Sequence, residues 1–194
     1  MHEVFRKYIT EKTSVPLNEE EFELIKKVYL PKRIRRRQYL LQEGEVCRQM
    51  AFIVKGAMRQ YAVDQDGEDN IINFGIENWW MSDRESFLME TPSKYNIDAQ
   101  EDSDVLLVTK EANEDLRNRI PAMQQLFRML DEKHYIASQK RIKAAISLTA
   151  EERYNELMNT YPEFLQRFPQ HMIASYLGIS PETLSTIRKP SSQK

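Results

Sequence analysis

The 194-residue chain has a formal net charge of −2, and 41% of its residues are hydrophobic while 30% are charged, as in ordinary globular proteins. It has no apolar run of about 18 residues that could span a membrane, and its first residues, MHEVFRKYITEK, lack the apolar core of a secretory signal. A single cysteine, Cys47, excludes an intramolecular disulfide and a cysteine-rich metal or iron–sulfur site, so we expect a cytoplasmic protein.

The charge is unevenly distributed along the chain. From Lys140 onward there are eight basic and five acidic residues, a charge of 8 − 5 = +3, which leaves 20 − 25 = −5 for the first 139 residues. This balance allows an anionic partner near the C-terminus without requiring one.

The first 30 residues predict helices. In NEEEFELIKKVYL, Phe22, Ile25 and Val28 fall on roughly one helical face, with acidic residues in the first turn. The basic run IRRR follows at 34–37. We interpret this run as a solvated strand edge, with a nucleic-acid-binding patch as the alternative.

Residues 38–110 change character and predict strands. The runs YLLQEGE, QMAFIVKGAMRQYAV, EDNIINFG and SDVLLVTK are rich in β-branched and aromatic residues, and Gly44, Gly56 and DQDG at 64–67 punctuate them. Short strands with turn signals between them indicate an all-β sandwich or barrel. The segment AVDQDGEDNII predicts a hairpin with its turn at Asp66 and Gly67.

The remaining residues, from 112 onward, return to a helical pattern. Pro121 suits a first helical turn, and AMQQLFRMLDEKHYIASQKRIKAAIS continues without glycine or proline. A buried core helix and a dimer seam both remain open for this segment. In SLTAEERYNELMNTYP we expect a further helix with Ser147 or Thr149 as N-cap, and Glu152 completing a capping box from Thr149.

The segment QHMIASYLGISPETLSTIRK at 170–189 predicts two short helices joined by a tight turn. Gly178 ends the first helix in the left-handed conformation that glycine adopts cheaply. The pattern is typical of a helix-turn-helix, whose second helix enters the DNA major groove, although an ordinary α-hairpin is the alternative. The residues that carry the prediction are the inner-face residues Ile173, Ala174, Leu177, Leu184 and Ile187, the turn residues Gly178 and Ile179, and Ser180 and Pro181 as N-cap and first helical residue.

The order of these parts resembles the Crp/Fnr superfamily of bacterial transcription regulators. The resemblance rests on YLLQEGEVCRQMAFIVKGAMRQYAVDQDGED and FPQHMIASYLGISPETLSTIRK. It implies an α+β fold with an N-terminal double-stranded β-helix, the jelly-roll of cyclic-nucleotide-binding domains, over 1–120. A long dimerisation helix over 121–146 and a C-terminal winged helix-turn-helix over 147–194 would follow. The implied partners are a second copy of the chain and double-stranded DNA at a palindromic promoter site, with RNA polymerase as a candidate partner and no membrane.

The resemblance also implies where an effector would bind. Nucleotide sensors of the family carry a cassette with a Gly-Glu pair and, about ten residues later, an Arg-Ser or Arg-Thr pair, in which backbone amides and the arginine hold the phosphate and the glutamate binds the ribose. Aligned on SDVLLV, this chain has Ser82-Asp83 and Ser93-Lys94 there, so the phosphate arginine is missing. A buried phosphate then loses its main charge-assisted partner. Cyclic AMP is therefore not expected, and a different small-molecule effector or none remains open.

The paired tryptophans in NWWMSDRESF have two interpretations, one as core residues and one as aromatic walls of a ligand pocket. Arg84 and Lys94 are possible point-charge substitutes for the missing arginine. The candidate ligand-binding residues are Trp80, Ser82, Asp83, Arg84, Glu85, Ser93 and Lys94.

By the same resemblance, the second helix of the helix-turn-helix would read DNA. Glu182 is expected to accept from a cytosine amino group, whereas Arg188 and Lys189 are better placed for phosphates. Family members often carry arginines at the positions of Pro181 and Thr186, so base reading is expected to be weaker or differently specified. The candidate DNA-binding residues are Pro181, Glu182, Thr183, Ser185, Thr186, Arg188 and Lys189.

Other chemistry is not indicated by the sequence. It contains no nucleophile elbow, P-loop or pair of catalytic acids, and its three histidines are scattered, so we expect neither an enzyme nor a metal site. Cys47 is interpreted as a structural thiol, with a redox sensor as the alternative. The leading hypothesis is a dimeric Crp/Fnr-type regulator. Its alternative is a small-molecule-binding protein whose helix-turn-helix, which we also call the reading head, does not bind DNA specifically.

Overall fold

The computed structural model describes residues 1–189, in which residues 30–109 form two four-stranded sheets. The spatial orders are β1-β8-β3-β6 and β2-β7-β4-β5. The pairs β1–β8, β3–β8, β3–β6 and β2–β7 are antiparallel. The strands are β1 Leu30–Ile34, β2 Tyr39–Leu41, β3 Gln49–Lys55, β4 Met58–Val63, β5 Asp69–Gly75, β6 Trp80–Met81, β7 Asn96–Ala99 and β8 Ser103–Thr109.

Helices precede, interrupt and follow these strands. They are α1 His2–Thr13, α2 Glu19–Val28, α3 Arg84–Met89, α4 Lys110–Arg119, α5 Pro121–Ser147, α6 Ala150–Thr160, α7 Phe164–Arg167, α8 Gln170–Leu177 and α9 Pro181–Arg188. The expected capping box between Thr149 and Glu152 is present at α6, and Asn18 with Glu21 forms a second box at α2. The expected turn at Gly67 joins β4 to β5, with the Gly67 N–H donating to the Asp64 carbonyl.

The chain forms two compact units. The first contains residues 1–60 and 74–133, and the second contains 61–73 and the residues from 134 onward. The sequence prediction assigned all of 1–120 to one domain, whereas the tip of the β4–β5 hairpin belongs to the second unit. The predicted boundaries were placed at the ends of the long helix. The compact units are instead groups of residues that pack together, and their boundary falls inside α5, between Lys133 and His134.

The central strands of the first unit supply two apolar cores. Because successive side chains of a strand point to opposite faces, Val105 and Leu107 of β8 enter the core between the sheets, and Leu106 and Val108 pack against helices. The core between the sheets comprises Ile34, Leu41, Cys47, Ala51, Ile53, Met58, Met81, Phe87, Ile97, Ala99, Val105 and Leu107. The helical layer contributes aromatic and aliphatic residues from α1, α2, α4 and α5, among them Phe5, Ile25, Leu116 and Phe127.

In the second unit, helix α8 is attached to the edge strand β5. The Ser175 hydroxyl donates to the Asp69 carbonyl at 3.0 Å and accepts from the Ile71 N–H at 2.9 Å. The Arg141 guanidinium of α5 donates to the Ile72 carbonyl and lies 4.7 Å from the centroid of the Tyr176 ring. Side chains thereby satisfy backbone groups of β5 that have no further strand beside them.

Helices α8 and α9 are joined by a Schellman turn. Gly178 has φ +65° and ψ +40°, its N–H donates to the Ser175 carbonyl, and the Ile179 N–H donates to the Ala174 carbonyl. A Cβ on Gly178 would meet nothing within 4 Å, so the glycine is needed for its backbone conformation rather than for space.

The winged part of the prediction has no counterpart in the described residues of the second unit. Between 134 and 189 the structure contains helices and no strand. Any wing beyond Lys189 would lie outside the described residues.

Gly56, in the β3–β4 turn, differs from Gly44 in its surroundings. Both have positive φ, +106° and +87°, but a Cβ on Gly56 would lie 2.7 Å from the Ser103 Cα, whereas a Cβ on Gly44 would meet nothing within 4 Å. Only Gly56 of these two therefore combines a backbone requirement with a close approach to another strand.

We expect Gly56→Ala to lower the free energy of unfolding by more than about 2 kcal/mol, because backbone strain of about 1–2 kcal/mol adds to overpacking of about 1–3 kcal/mol. The matched Gly44→Ala variant should lose only the strain. Chemical denaturation of both variants measures the difference, and equal losses would contradict this account of Gly56.

Candidate functional site

A buried carboxylate occupies the beginning of helix α3, at the position where the resemblance placed the phosphate cassette. Asp83 is the N-cap of this helix, and its Oδ1 accepts from the backbone N–H groups of Glu85 at 3.1 Å and Ser86 at 3.3 Å. Its Oδ2 accepts from the Ser93 hydroxyl at 2.7 Å. Asp83 and Ser93 are each 3% exposed. The two residues that the sequence assigned to opposite ends of the cassette thus contact each other directly.

Ser86 connects this carboxylate to the loop before β3. The Ser86 hydroxyl donates to the Thr91 carbonyl at 2.5 Å and accepts from the Cys47 N–H at 2.8 Å. We call Asp83, Ser86, Ser93 and Cys47 the Asp83 cluster. Its polar groups use one another as partners, so the loops on both sides of α3 are fixed without a ligand.

The Asp83 cluster is unsuited to a phosphate. The N–H groups of Glu85 and Ser86, which begin a helix and would attract an anion, already bond the protein's own carboxylate. A phosphate brought to this point would meet a carboxylate in a poorly solvated position, where like charges repel strongly. That cyclic AMP is not held here stays a prediction, and these contacts are its physical basis.

The remaining candidate ligand-binding residues near α3 are not members of the Asp83 cluster. The Arg84 guanidinium forms an ion pair with Asp131 of α5 at 2.5 Å, and both side chains are about half exposed, at 48% and 44%. Lys94 and Glu85 are exposed, and Ser82 is half-buried. The sequence left open that Arg84 or Lys94 replaces the missing arginine. The ion pair of Arg84 with Asp131 gives no support to Arg84 in that role.

Trp80 packs against the aromatic core of the helical layer. Its ring centroid is 5.2 Å from those of Phe52 and Phe127, and 5.7 Å from that of Phe5. Of the two interpretations that the sequence left open, this packing favours the core residue, and the pocket wall stays a prediction. Because Trp80 and Met81 are successive residues of β6, they face opposite sides, and Met81 takes the side between the sheets.

A buried ion pair that the sequence analysis missed joins β4 to β7. The Arg59 Nε and Nη2 donate to the Asp98 carboxylate at 3.0 Å each, and the side chains are 11% and 8% exposed. Gln100 donates to the same carboxylate at 2.6 Å. The sequence signal for this ion pair was a charged residue inside each of the apolar runs MRQYAV and NIDA. The pair fixes the two strands, and it engages a guanidinium that would otherwise be able to bind an anion.

The thiol of Cys47 is not activated. Burial raises the pKa of the thiol to about 11, although backbone hydrogen bonds that favour the thiolate act in the opposite direction. The Sγ donates to the Gln49 carbonyl at 3.4 Å. A thiol with a raised pKa is a poor nucleophile at neutral pH. The structural interpretation of Cys47 is therefore favoured over the redox sensor.

Helix α9 presents the residues that the sequence assigned to DNA reading. Leu184 is buried and Ile187 half-buried on its inner side. The exposed residues are Pro181, Glu182, Thr183, Ser185, Thr186, Arg188 and Lys189. The Ser180 hydroxyl caps the helix by accepting from the Thr183 N–H at 3.2 Å, so the first turn is ordered by the protein itself.

Two of these side chains have defined chemistry. Glu182, in the first turn of α9, has a pKa lowered by its own backbone N–H and by the Ser180 hydroxyl, so it is a carboxylate acceptor at neutral pH. The Thr186 hydroxyl donates to the Glu182 carbonyl at 3.0 Å, which turns its proton back toward the helix. Glu182 is thus the strongest exposed hydrogen-bond acceptor at the beginning of this helix.

Two absences complete the description of residues 1–189. No group of three histidine, cysteine, aspartate or glutamate side chains is arranged to hold a metal ion there. None of the helices in that range combines the length and apolar character that a membrane span requires.

An open concavity of about 300 Å³ is lined by Glu114, Arg117, Asn118 and Gln124, and its lining includes no residue of the Asp83 cluster.

We expect Cys47 in the folded protein to react with iodoacetamide at pH 8 at least about 100-fold more slowly than in urea, because a pKa two units higher leaves a hundredth of the thiolate. Since folding raises this pKa, the protonated thiol stabilises the fold below the ordinary value of 9.0, and that stabilisation is lost as the pH rises through about 11. Mass spectrometry over time measures the reaction. Native labelling as fast as unfolded labelling would contradict the buried, protonated thiol.

Residues 31–119 match the family model described as "Cyclic nucleotide-binding domain". No curated protein sequence matches the chain.

Three solved structures illustrate the likeness in fold. The Catabolite Activator Protein of Thermus thermophilus is 18% identical, with 93% of this chain and 84% of that chain covered and a TM-score of 0.55. A transcriptional regulator of the Crp/Fnr family from Eubacterium rectale is 13% identical, with 88% and 82% covered and a TM-score of 0.65. The c-di-GMP responsive regulator CLP of Xanthomonas campestris is 13% identical, with 89% and 90% covered and a TM-score of 0.65. Residues 31–119 therefore resemble the cyclic nucleotide-binding domain family in sequence, and the chain has the fold of the Crp/Fnr-type regulators, as the sequence resemblance predicted.

Proposed function

We propose that this protein is a homodimeric, DNA-binding transcription regulator of the Crp/Fnr type that does not use cyclic AMP as its effector. The observation that carries the proposal is the exposed outer face of α9, held on a buried inner face and preceded by the Schellman turn at Gly178. This is the geometry in which a helix-turn-helix presents its second helix to the major groove. The structural neighbours named as regulators support the same conclusion.

Base recognition by α9 would depend on Glu182. Its carboxylate is exposed at the beginning of the helix, where recognition helices contact base edges, and it can accept from the amino group of cytosine. Pro181 has no side-chain donor, and the Thr186 hydroxyl bonds within the helix, so neither replaces the guanine-reading arginines of the family. Arg188 and Lys189 would contact phosphates on double-stranded DNA. A palindromic promoter site follows from a two-fold dimer, with RNA polymerase as a candidate partner.

The sensor domain would respond to a ligand other than cyclic AMP, or to none. The Asp83 carboxylate takes the helical N–H groups that a cyclic phosphate needs, and the guanidiniums of Arg59 and Arg84 are both engaged by aspartates. One structural neighbour is described as c-di-GMP responsive, so proteins of this fold are not restricted to cyclic AMP. A sensor of another effector is therefore compatible with the fold.

The dimer would form along the second half of α5. Positions 132, 135, 139, 142 and 146 follow the alternating three- and four-residue spacing of a coiled-coil seam. Three of them are exposed apolar residues, since Tyr135, Ile142 and Ile146 are 67%, 55% and 79% exposed, and the other two are the polar Glu132 and Gln139. A stripe of large apolar side chains in water is unfavourable unless it is covered, and a second copy of the same stripe is its natural complement.

We expect Ile142→Asp to convert the dimer to a monomer at micromolar concentration, because it places two like charges across the seam. Ala137→Asp, an exposed position on the opposite side of the same helix, is the matched control and should remain dimeric. Sedimentation velocity measures both. A monomeric wild-type protein would contradict the dimer.

DNA binding is tested by selection from random duplexes, with Glu182→Ala as the diagnostic variant. The wild type should enrich a palindrome whose half-sites lie about one helical turn apart or a multiple of it. Glu182→Ala should lose preference at one base pair in each half-site, by about 1–3 kcal/mol, whereas Arg188→Ala should weaken all sequences equally and reduce the salt dependence.

The controls of this selection separate the two functional hypotheses. Cyclic AMP at millimolar concentration should leave operator affinity unchanged and give no heat in calorimetry. If no palindrome is enriched, and wild type and Glu182→Ala bind equally, the alternative holds, namely a small-molecule-binding protein whose reading head does not bind DNA specifically.

A further inference from the structure

The second compact unit contains the tip of the β4–β5 hairpin together with the reading head. We call residues 61–73 the hairpin tip, and they group with the second half of α5 and with α6 to α9. The Ser175 hydroxyl of α8 bonds the Asp69 carbonyl and the Ile71 N–H, and Arg141 of α5 donates to the Ile72 carbonyl. The hairpin tip is therefore docked on the first helix of the reading head, within one compact unit.

Helices α5 and α8 hold this strand jointly. The Arg141 guanidinium lies 4.7 Å from the ring centroid of Tyr176, the residue that follows Ser175. Burial raises the pKa of Tyr176, although the charge of Arg141 acts in the opposite direction, so the ring is neutral at neutral pH. Ser175 is only half-buried, and water competes for its hydrogen-bond partners. A released hairpin tip is therefore an accessible minor state of the unit.

The loop of the hairpin tip is ordered and acidic. The Asp64 Oδ1 accepts from the N–H groups of Asp66 and Glu68 at 3.0 Å each, and its Oδ2 accepts from the Asn70 amide at 3.0 Å. The Glu68 N–H, followed by the Asn70 amide, lowers the pKa of Asp64, so its carboxylate is charged at neutral pH. Residues 64–70 are all exposed. The acidic side chains thus project from a fixed turn into solvent.

Docking of the hairpin tip reverses the sign of the charge of the second unit. Residues 134–189 contain seven basic and five acidic residues, or 7 − 5 = +2. The hairpin tip contains four acidic residues and no basic one, and with it the charge becomes 2 − 4 = −2. Three of the seven basic residues, Lys140, Arg141 and Lys143, lie on the part of α5 that holds β5. The charge of the hairpin tip is therefore complementary to the helix that holds it and opposed to an anionic partner of the unit.

We propose that the docked hairpin tip is an autoinhibitory element that lowers the affinity of the reading head for DNA. This inference rests on the proposed function, because it concerns the DNA that the reading head would bind. Phosphates supply essentially all of the non-specific affinity of duplex DNA for proteins, and carboxylates within a Debye length of about 10 Å oppose it. Release of Ser175 and Arg141 from β5 lets the acidic loop move away from α8 and leaves a unit of positive charge.

The first test neutralises the hairpin tip without releasing it. The variant is Asp66→Ser/Glu68→Gln, whose carboxylates accept none of the bonds described for this loop, and serine suits a turn. The matched control, Glu3→Gln/Glu20→Gln, removes the same charge from α1 and α2 in the first unit. Fluorescence anisotropy with a labelled duplex of arbitrary sequence measures affinity at low and high salt. Thermal melting establishes that both variants fold.

The expected result is a gain in affinity that depends on salt. The hairpin-tip variant should bind the duplex at least about threefold more tightly than the wild type at 50 mM salt, and the gain should disappear by about 0.5 M because the carboxylates are then screened. The control should bind as the wild type does at both salt concentrations.

The second test releases the hairpin tip without changing its charge. Ser175→Ala removes both bonds from α8 to β5, so the Ile71 N–H should exchange with deuterium faster than in the wild type. Affinity for the same duplex at 50 mM salt should rise in parallel. Thr160→Ala, an exposed position in the last turn of α6, is the matched control and should change neither exchange nor affinity.

Other outcomes overturn the inference in distinguishable ways. A hairpin-tip variant with wild-type affinity, or a control with the same gain, overturns this inference alone. Ser175→Ala would also overturn it by leaving Ile71 exchange unchanged, or by freeing Ile71 while affinity stays equal or falls, because docking would then have no inhibitory role. If neither the wild type nor any variant binds duplex DNA, the proposed function fails together with this inference.

Discussion

The antiparallel pairing of β3 with β8 is the constraint on which the first unit depends. Both strands are buried on two faces, so each must supply apolar side chains at successive positions, as Val105, Leu106, Leu107 and Val108 do. One face fills the space between the sheets, and the other forms the floor for the helical layer. Helix α4 follows β8 directly and leads into α5, whose first residues, among them Ala122, Met123 and Leu126, pack in that helical layer. Substitutions at neighbouring positions of β8 would therefore change the packing of one core and then of the other.

Local features of the molecule were predictable because their causes are local. The turn at Asp66 and Gly67, the capping box from Thr149 and the burial of Leu184 beneath an exposed face all depend on residues within a few positions of one another. The identity of the domain followed from the order of such features, and the match of residues 31–119 to the cyclic nucleotide-binding domain model confirmed it. The wing and the DNA contacts remain predictions.

Contacts between residues distant in sequence were not predictable. Asp83 and Ser93 were both named as candidates, but their hydrogen bond depends on how the loop after α3 returns to the beginning of that helix. Arg59 and Asp98 are 39 positions apart, and Ser175 and Asp69 are 106 apart. Trp80 was left open between the core and a pocket wall, because a two-residue strand shows no alternation that would indicate which side its residues face. In each case the sequence supplied the chemical group but not its partner.

The attachment of Ser175 to β5 has a consequence for the behaviour of the sensor sheet in isolation. An edge strand with free N–H and carbonyl groups pairs readily with strands of other molecules, and proteins usually cover such edges or interrupt them with charges. Here the cover is a helix from a different part of the chain, so a fragment that ends before α8 would carry β5 with Asp69 and Ile71 uncovered. Such a fragment would gain a surface for strand exchange between copies. Helix α8 therefore covers part of the exposed edge of the hairpin, and this contact does not depend on whether the C-terminal helices bind DNA.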